Sequence, residues 1–532
     1  MSEVVQEPVA SRGGLQRVLD AIERAGNKVP HPVIIFLALI ALIMALSAIF
    51  QAAGTSVTFE QAQLGADEVE TVTVEAQSLL DADGIRFVFT SPVANFNGFG
   101  VVGVIVVAMI GVGLAEEVGL IGAFIKRLVK VTPPRFVTFS IVFLGVLSSI
   151  ATDAGYLVLI PLAAAVFYSL GRHPLAGLAA AFAGVGGGFG VNILITPVDG
   201  MLAEITNESI VDPANHVSIT GNLFFGIVST FVVAIVATLL TEKFVEPRLG
   251  TYDRAAEAPA ADDPEVGPAP GAASGDLTPE ERNGLRWAFW GFLGVLLLVL
   301  ALSLPPGAPL RNPETGSLVE ASPLLNSIIF LILLFFFVMG LCYGKGAGTV
   351  KSSMDVINPM TKTIANLSGL IFLLLVISQF IAYFNYSNLG TIAAVEMADA
   401  LEAANLSTIW LILGLIAMTA VIDIFIGGVV PKWAIFAPVF VPLFIQLGIS
   451  PDLAMAAYRV GDSPINVATP LMPYFALIVI FAERYRRKVG VGSVISLMLP
   501  YTVTLLVVWS ALLVVWYLVG IPLGPGAPIY LE

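Results

Sequence analysis

The chain carries one cysteine, Cys342, and three histidines in 532 residues. A lone thiol excludes an intrachain disulfide framework and a cysteine metal cluster. Cys342 ends an apolar run, so its expected role is packing. The histidines all fall in polar stretches, and no zinc site is expected from them. Charged residues make up only 12% of the chain, and the net charge of −14 lies largely in loops. That balance argues against nucleic acid as a partner. No His-Glu-x-x-His motif is present. A Gly-x-Ser-x-Gly elbow would need a strand-to-helix turn, and no such context appears. The chain reads as a non-enzyme with no cofactor and no catalytic residues.

What it has instead is apolar mass: 57% of residues, with a mean hydropathy of +0.91. No soluble core needs that much, so the chain reads as an all-α polytopic membrane protein. The apolar run at 33–50 exceeds a signal peptide's core and is taken as a retained first span. Runs long enough to cross a bilayer fall near 33–52, 98–125, 174–198, 220–241, 285–304, 324–343, 364–384, 453–482 and 494–519. These predict nine transmembrane helices. Two more apolar segments, 135–170 and 408–447, are interrupted at Ala151–Gly155 and at Gly427-Gly428, and are expected to be re-entrant hairpins. Two full crossings per segment would keep the same parity.

With the N-terminus in the cytoplasm, every Lys and Arg lies on the inner side except Arg86, Arg311, Lys432 and Arg459. This is the bias of the positive-inside rule, and it places the C-terminus outside. The expected organisation is a cytoplasmic segment 1–31, a first membrane repeat 32–249, a flexible cytoplasmic linker 250–284 and a second repeat 285–522. Loop 53–97 is acidic and external.

The halves echo each other at an offset of 277. Leu170-Gly171-Arg172-His173-Pro174 matches Leu447-Gly448-Ile449-Ser450-Pro451, Pro161 falls on Pro438, and Gly184 on Gly461. Val191-Asn192 before Thr196-Pro197 resembles Ile465-Asn466 before Thr469-Pro470. Five crossings separate the two starts, so the repeat has inverted topology. Inverted repeats with paired interrupted helices point to a secondary transporter with its site at the midplane.

The stretch 451–470 carries most of the chemistry: Arg459 and Asp462, with Gly461, Pro464 and Pro470, between apolar flanks. An ion at the bilayer centre costs roughly 2.5–3.5 kcal/mol on insertion scales. Such residues are tolerated where irregular backbone lines a cavity. Arg459 offers a fork that fits a carboxylate; the alternative is an i, i+3 ion pair with Asp462. Asp462 and Asp199 are candidate proton carriers, although Asp199 could equally be a helix cap. Asp153 and Asp423, in the two hairpins, either coordinate a cation or satisfy free hairpin amides. Asn192 and Asn466 either hold Na⁺ beside freed carbonyls or bridge backbone groups left unpaired by proline. Trp433 either stacks on an aromatic substrate or packs. Of the adjacent Glu116 and Glu117, one can join a relay while the other reaches a polar surface.

Several motifs resemble the p-aminobenzoyl-glutamate transporter (AbgT) family. They are Ser149-Ile150-Ala151-Thr152-Asp153-Ala154-Gly155-Tyr156 with Ile160-Pro161-Leu162-Ala163-Ala164; Thr196-Pro197-Val198-Asp199; Glu242-Lys243-Phe244-Val245-Glu246-Pro247-Arg248-Leu249; Pro431-Lys432-Trp433-Ala434; and Arg459-Val460-Gly461-Asp462-Ser463-Pro464. The resemblance implies a homodimer in the bacterial inner membrane, surrounded by lipid, with nine spans, two hairpins and a separate pathway per protomer. It implies ion-gradient-driven transport of p-aminobenzoyl-glutamate, or, as in some members, export of p-aminobenzoate and sulfonamides. Its substrate positions match Asp199, Trp433, Pro451, Arg459, Asp462 and Pro470. Two rival readings are a dicarboxylate importer, which shares the hairpin logic, and, from another class, an ion channel.

Overall fold

The computed structural model describes residues 30–62, 69–150, 155–253, 277–318, 322–403, 407–486 and 489–531. The first helix, α1 (Pro32–Ala52), starts with proline at its first position, where the missing N–H costs nothing. The loop after it carries an antiparallel hairpin, β1 (Ser56–Ala62) with β2 (Val69–Glu75), and two short helices, α2 (Ala82–Thr90) and α3 (Pro92–Gly98). The expected span 98–125 is shorter than its apolar run. It forms α4 (Val101–Glu117), and Gly119 then turns the chain through a positive φ into a separate helix, α5 (Leu120–Val131). A bend of 118° separates that segment from Pro134–Ile150.

The first interrupted segment comprises α6 (Val137–Leu147) and α7 (Ile160–Ser169). Part of its break, with Asp153, lies outside the described residues. The third predicted span, 174–198, is not one helix. It is α8 (Pro174–Val185), a turn, and then α9 (Pro197–Asn207). Helix α10 (Leu223–Leu240) returns and closes the first half. Much of the linker, 254–276, lies outside the described residues.

The second half opens with α11 (Pro279–Ser303), α12 (Ile328–Ala347) and α13 (Met354–Tyr386). Helix α14 (Leu389–Ala403) follows and packs on the second interrupted segment; the hydropathy pattern did not reveal it. That segment is α15 (Thr408–Asp423) and α16 (Val429–Gln446). The eighth predicted span, 453–482, is also broken: α17 (Pro451–Asp462), a tight turn at Ser463–Ile465, an irregular stretch, and α18 (Phe475–Glu483). The long α19 (Val491–Val519) ends the bundle.

Seven helices are long and apolar enough to cross a membrane among the described residues, or up to nine with two bent pairs counted. By length and composition alone, this set of unbroken helices differs from the nine apolar runs expected. Helix α16 qualifies by itself, and the third and eighth spans drop out because each is broken. Helices α8 and α17 are buried along their whole lengths. Lipid-type exposure falls on α11, whose Trp287, Phe289 and Trp290 face outward.

Gly184 and Gly461, matched by the sequence echo, sit at equivalent close approaches. A Cβ on Gly184 would lie 2.4 Å from the carbonyl oxygen of Val142 on α6. On Gly461 it would lie 2.6 Å from that of Ile416 on α15. In each half the broken span therefore packs backbone to backbone on the first helix of its hairpin, a contact only a small residue permits. At the turn before α8, Arg172 forks onto Glu246, with Nε to Oε1 at 2.9 Å and Nη2 to Oε2 at 2.5 Å. It also stacks over Phe167 and donates to Thr138. This bidentate brace explains why Glu246 belongs to a recognisable motif. Gly184→Ala and Gly461→Ala should each cost about 1–3 kcal/mol by overpacking. A thermal-unfolding midpoint of purified protein checks this; an unchanged midpoint for either refutes the close contact.

Candidate functional site

The site is built on α17. Ser450 caps it, Pro451 sits at its first position, and it stops after Asp462 because Pro464 lacks the N–H that another turn would use. Its final turn carries Tyr458, Arg459 and Asp462, all buried. Arg459 and Asp462 do not pair with each other. Arg459 Nη1 donates to Asp199 Oδ1 at 2.6 Å and to the Gly190 carbonyl at 2.9 Å. The expected alternative of a local i, i+3 neutralisation gives way to an ion pair across the two halves. Helix geometry allowed the local pair, but the turn of the first broken span lies nearer.

Asp199 is not at the end of a span. It is the third residue of α9, in a capping box with Thr196, and its Oδ2 accepts from Thr196 N (2.7 Å) and Oγ1 (2.8 Å). One carboxylate oxygen thus caps the helix, and the other holds Arg459. Ser463 Oγ accepts from Gly190 N at 2.9 Å, so both polar groups of that glycine's backbone are held by the end of α17. Arg459 Nε is buried without a hydrogen-bond partner, which leaves part of the fork unspent.

A second charged group lies on the other side of α17. Asp462 Oδ1 is 2.7 Å from Lys432 Nζ on α16, and the same ammonium contacts Asp423 Oδ1 at the end of α15. The Tyr458 hydroxyl lies 2.5 Å from the Val429 carbonyl and 3.1 Å from Asp462 Oδ1. Lys432 and Asp423 are 0% exposed and Asp462 is 1% exposed. Lys432 is the residue that sequence reasoning passed over. Its signal was there, as one of two cations at membrane depth, but nothing in one dimension placed it between two carboxylates.

Trp433 is fully buried, its ring 4.8 Å from that of Tyr458, with Nε1 donating to Thr206 Oγ1 on α9 at 3.0 Å. It is an internal residue packed between α9 and α17. Asn192 donates to the carbonyls of Val146 and Leu147 and to Ser149 Oγ, and its own oxygen accepts from Leu194 N. It ties the first broken span to the end of α6. In the second half Thr469 Oγ1 donates to the Ile424 carbonyl, tying that turn to the break in its hairpin. Asn466 and Pro470 flank it, both half-buried. Glu117 reaches Lys362 at 2.8 Å, on a partly exposed polar edge.

A cavity of about 20 Å³ adjoins the Arg459–Asp199 pair, lined also by Gly190, Asn192, Asn222 and Phe225. It has room for one water molecule. That space is too small for an organic anion, which could enter only after the broken spans move apart.

The sequence profile of the AbgT putative transporter family matches residues 17–531. The p-aminobenzoyl-glutamate transport protein of Escherichia coli K12 is 35% identical over 521 residues, 98% of each chain. The crystal structure of the Alcanivorax borkumensis YdaH transporter is similar with a TM-score of 0.82 and 42% identity, covering 93% of this chain and all of that one. Neisseria gonorrhoeae MtrF, described as illuminating a class of antimetabolite efflux pumps, superposes with a TM-score of 0.86 and 39% identity over 96% of this chain and all of MtrF.

Asp199→Ala should leave a buried guanidinium unpaired and cost about 3–5 kcal/mol. The double variant Asp199→Leu/Arg459→Met should recover most of that stability, because apolar replacements of a buried pair are often neutral. Melting points of the wild type, both single variants and the double variant check this; strict additivity would show that the pair is not an energetic unit.

Proposed function

The chain belongs to the AbgT family of membrane transporters, and from that premise we propose that it is an ion-gradient-driven secondary transporter of p-aminobenzoyl-glutamate and related aromatic carboxylates. The observation that carries this reading is the Arg459–Asp199 pair, a half-spent guanidinium at the junction of two broken spans. A substrate carboxylate would take Asp199's place on Arg459 in a bidentate pair. Asp199 would stay tied to its helix cap, so the exchange leaves it solvated by the opening cavity. Trp433 would supply the aromatic wall, and Pro451 and Pro470 would set where the moving helices begin and end. Asp462 and Asp423 would link the substrate site to the driving ion.

Alternating access follows from the two hairpins, each held to a broken span by side chain-to-carbonyl bonds that can release. We place the protein in the bacterial inner membrane as a homodimer, with N-terminus inside and C-terminus outside, and with two membrane repeats joined by the 250–284 linker. A second reading, export of p-aminobenzoate and sulfonamides by antiport, is favoured by the 39% identity to MtrF. The same anion site serves both, and direction decides between them.

Proteoliposome flux of labelled p-aminobenzoyl-glutamate, with ΔpH and ΔNa⁺ imposed separately, tests the proposal. Gradient-dependent flux is expected; unitary currents without such flux would defeat it. Arg459→Ala should abolish flux with protein still in the membrane, and near-normal flux would remove Arg459 from the site. Asp462→Asn should uncouple flux from the gradient, which counterflow at varied pH would reveal.

A further inference from the structure

The charges around α17 do not balance. Arg459 and Asp199 form one closed pair. Lys432 faces two carboxylates, Asp423 and Asp462, at a point where all three are out of contact with solvent. With every group ionised, the second cluster carries one negative charge too many. A buried charge without a partner is neutralised by taking or losing a proton.

Among the described residues the elements packed around the cluster supply no further cation, and the acidic Glu396 and Asp399 of α14, which packs on α16, are exposed. Beside Lys432, α16 presents apolar residues and Trp433. Helix α17 adds the neutral Tyr458; its Arg459 is committed to Asp199, and its remaining ionisable residue, the buried Asp452, sits nearly three turns away, where its Oδ2 accepts from Ser450 Oγ. Helix α19 packs against α15 and carries no Asp, Glu, Lys, Arg or His. Its Tyr501 hydroxyl is taken by Thr241 at 2.6 Å. Asp423 Oδ2 and Thr419 Oγ1, one turn apart on α15, are buried polar atoms with no hydrogen-bond partner. Unsatisfied groups at that depth call for an explanation, such as strain, a water, an ion or a proton. A metal cation would need several oxygen ligands, and the ammonium already fills the space between the carboxylates. Among the described residues no group of three or more His, Cys, Asp or Glu is placed to hold a metal.

We propose that the Asp423–Lys432–Asp462 cluster is a proton-binding site that holds a single proton in this closed conformation, with Lys432 as the fixed cation that sets how readily it leaves. The proton adds to a carboxylate oxygen of the Asp423/Asp462 pair to form a neutral carboxyl. It departs as hydronium when opening admits water, and the excess negative charge then disfavours reclosure until a proton returns. The link to transport rests on the function proposed above; the existence of the protonated carboxyl does not.

Infrared spectra of the full-length reconstituted protein test the site without substrate. At about pH 7, well above the ordinary carboxylate pKa of about 4, the wild type should retain the carbonyl stretch of a buried carboxylic acid. Asp423→Asn leaves Lys432 and Asp462 balanced and should lose that band. Lys432→Gln removes the cation, so the band should grow and persist to a pH at least about one unit higher. A wild type without the band, or Asp423→Asn keeping it unchanged, overturns the proposal. Should Asp423→Asn fail to fold, a Lys432→Gln spectrum identical to that of the wild type overturns it equally. A merely structural lysine would not move the pH at which the band disappears. In parallel, p-aminobenzoyl-glutamate binding is measured against pH. Absence of binding in the folded wild type defeats the transport reading and leaves the infrared result standing. Binding whose pH dependence is the same in Asp423→Asn and the wild type severs this proton from the substrate.

Discussion

Burying ions inside an apolar bundle is the constraint on which the rest of the structure depends. Only 12% of the chain is charged, yet Arg459, Asp462, Lys432 and Asp423 are all at the centre, out of water. The desolvation of each is several kcal/mol, and pairing offsets it only with close geometry. The partners therefore come from four helices, α9, α15, α16 and α17, and these helices must meet at one place. The ion pairs do not add stability so much as dictate which backbones can approach. The glycines at 184 and 461 then make the approach possible.

The same constraint explains why the two central spans are broken. A continuous helix satisfies its own backbone and has nothing to offer a ligand. The break between α8 and α9 leaves the Gly190 backbone to be met by Arg459 and Ser463, and side chains from the two broken spans reach out in turn, Asn192 to the carbonyls at the end of α6 and Thr469 to that of Ile424. Each such bond joins a broken span either to the other half or to a hairpin. The irregular backbone is held by side-chain contacts rather than by its own helix. A cavity of about 20 Å³ lies beside a guanidinium with an unused N–H.

Lys432 shows where physical reasoning from the sequence stops. It stands next to Trp433, and both are buried on α16, but the tryptophan looks toward α9 while the ammonium lies between α15 and α17. Neighbouring positions on a helix point in directions about 100° apart, so one motif serves two sites. The shift in the boundaries of the second span has a similar origin. The apolar run 98–125 is interrupted only by Glu116-Glu117, and Gly119 just after them permits a turn that hydropathy does not register.

The sequence alone determined the helical membrane character, the Gly/Pro breaks, and the set of ionisable residues that could not face lipid. These depend on composition and local stereochemistry, which are properties of the chain taken residue by residue. Only the tertiary structure decided the partners. Asp199 and Arg459 are 260 positions apart, and Asp423 and Asp462 share one ammonium without touching in sequence. Pairing in a low-dielectric interior depends on distances of a few ångströms, and those are set by how whole helices pack.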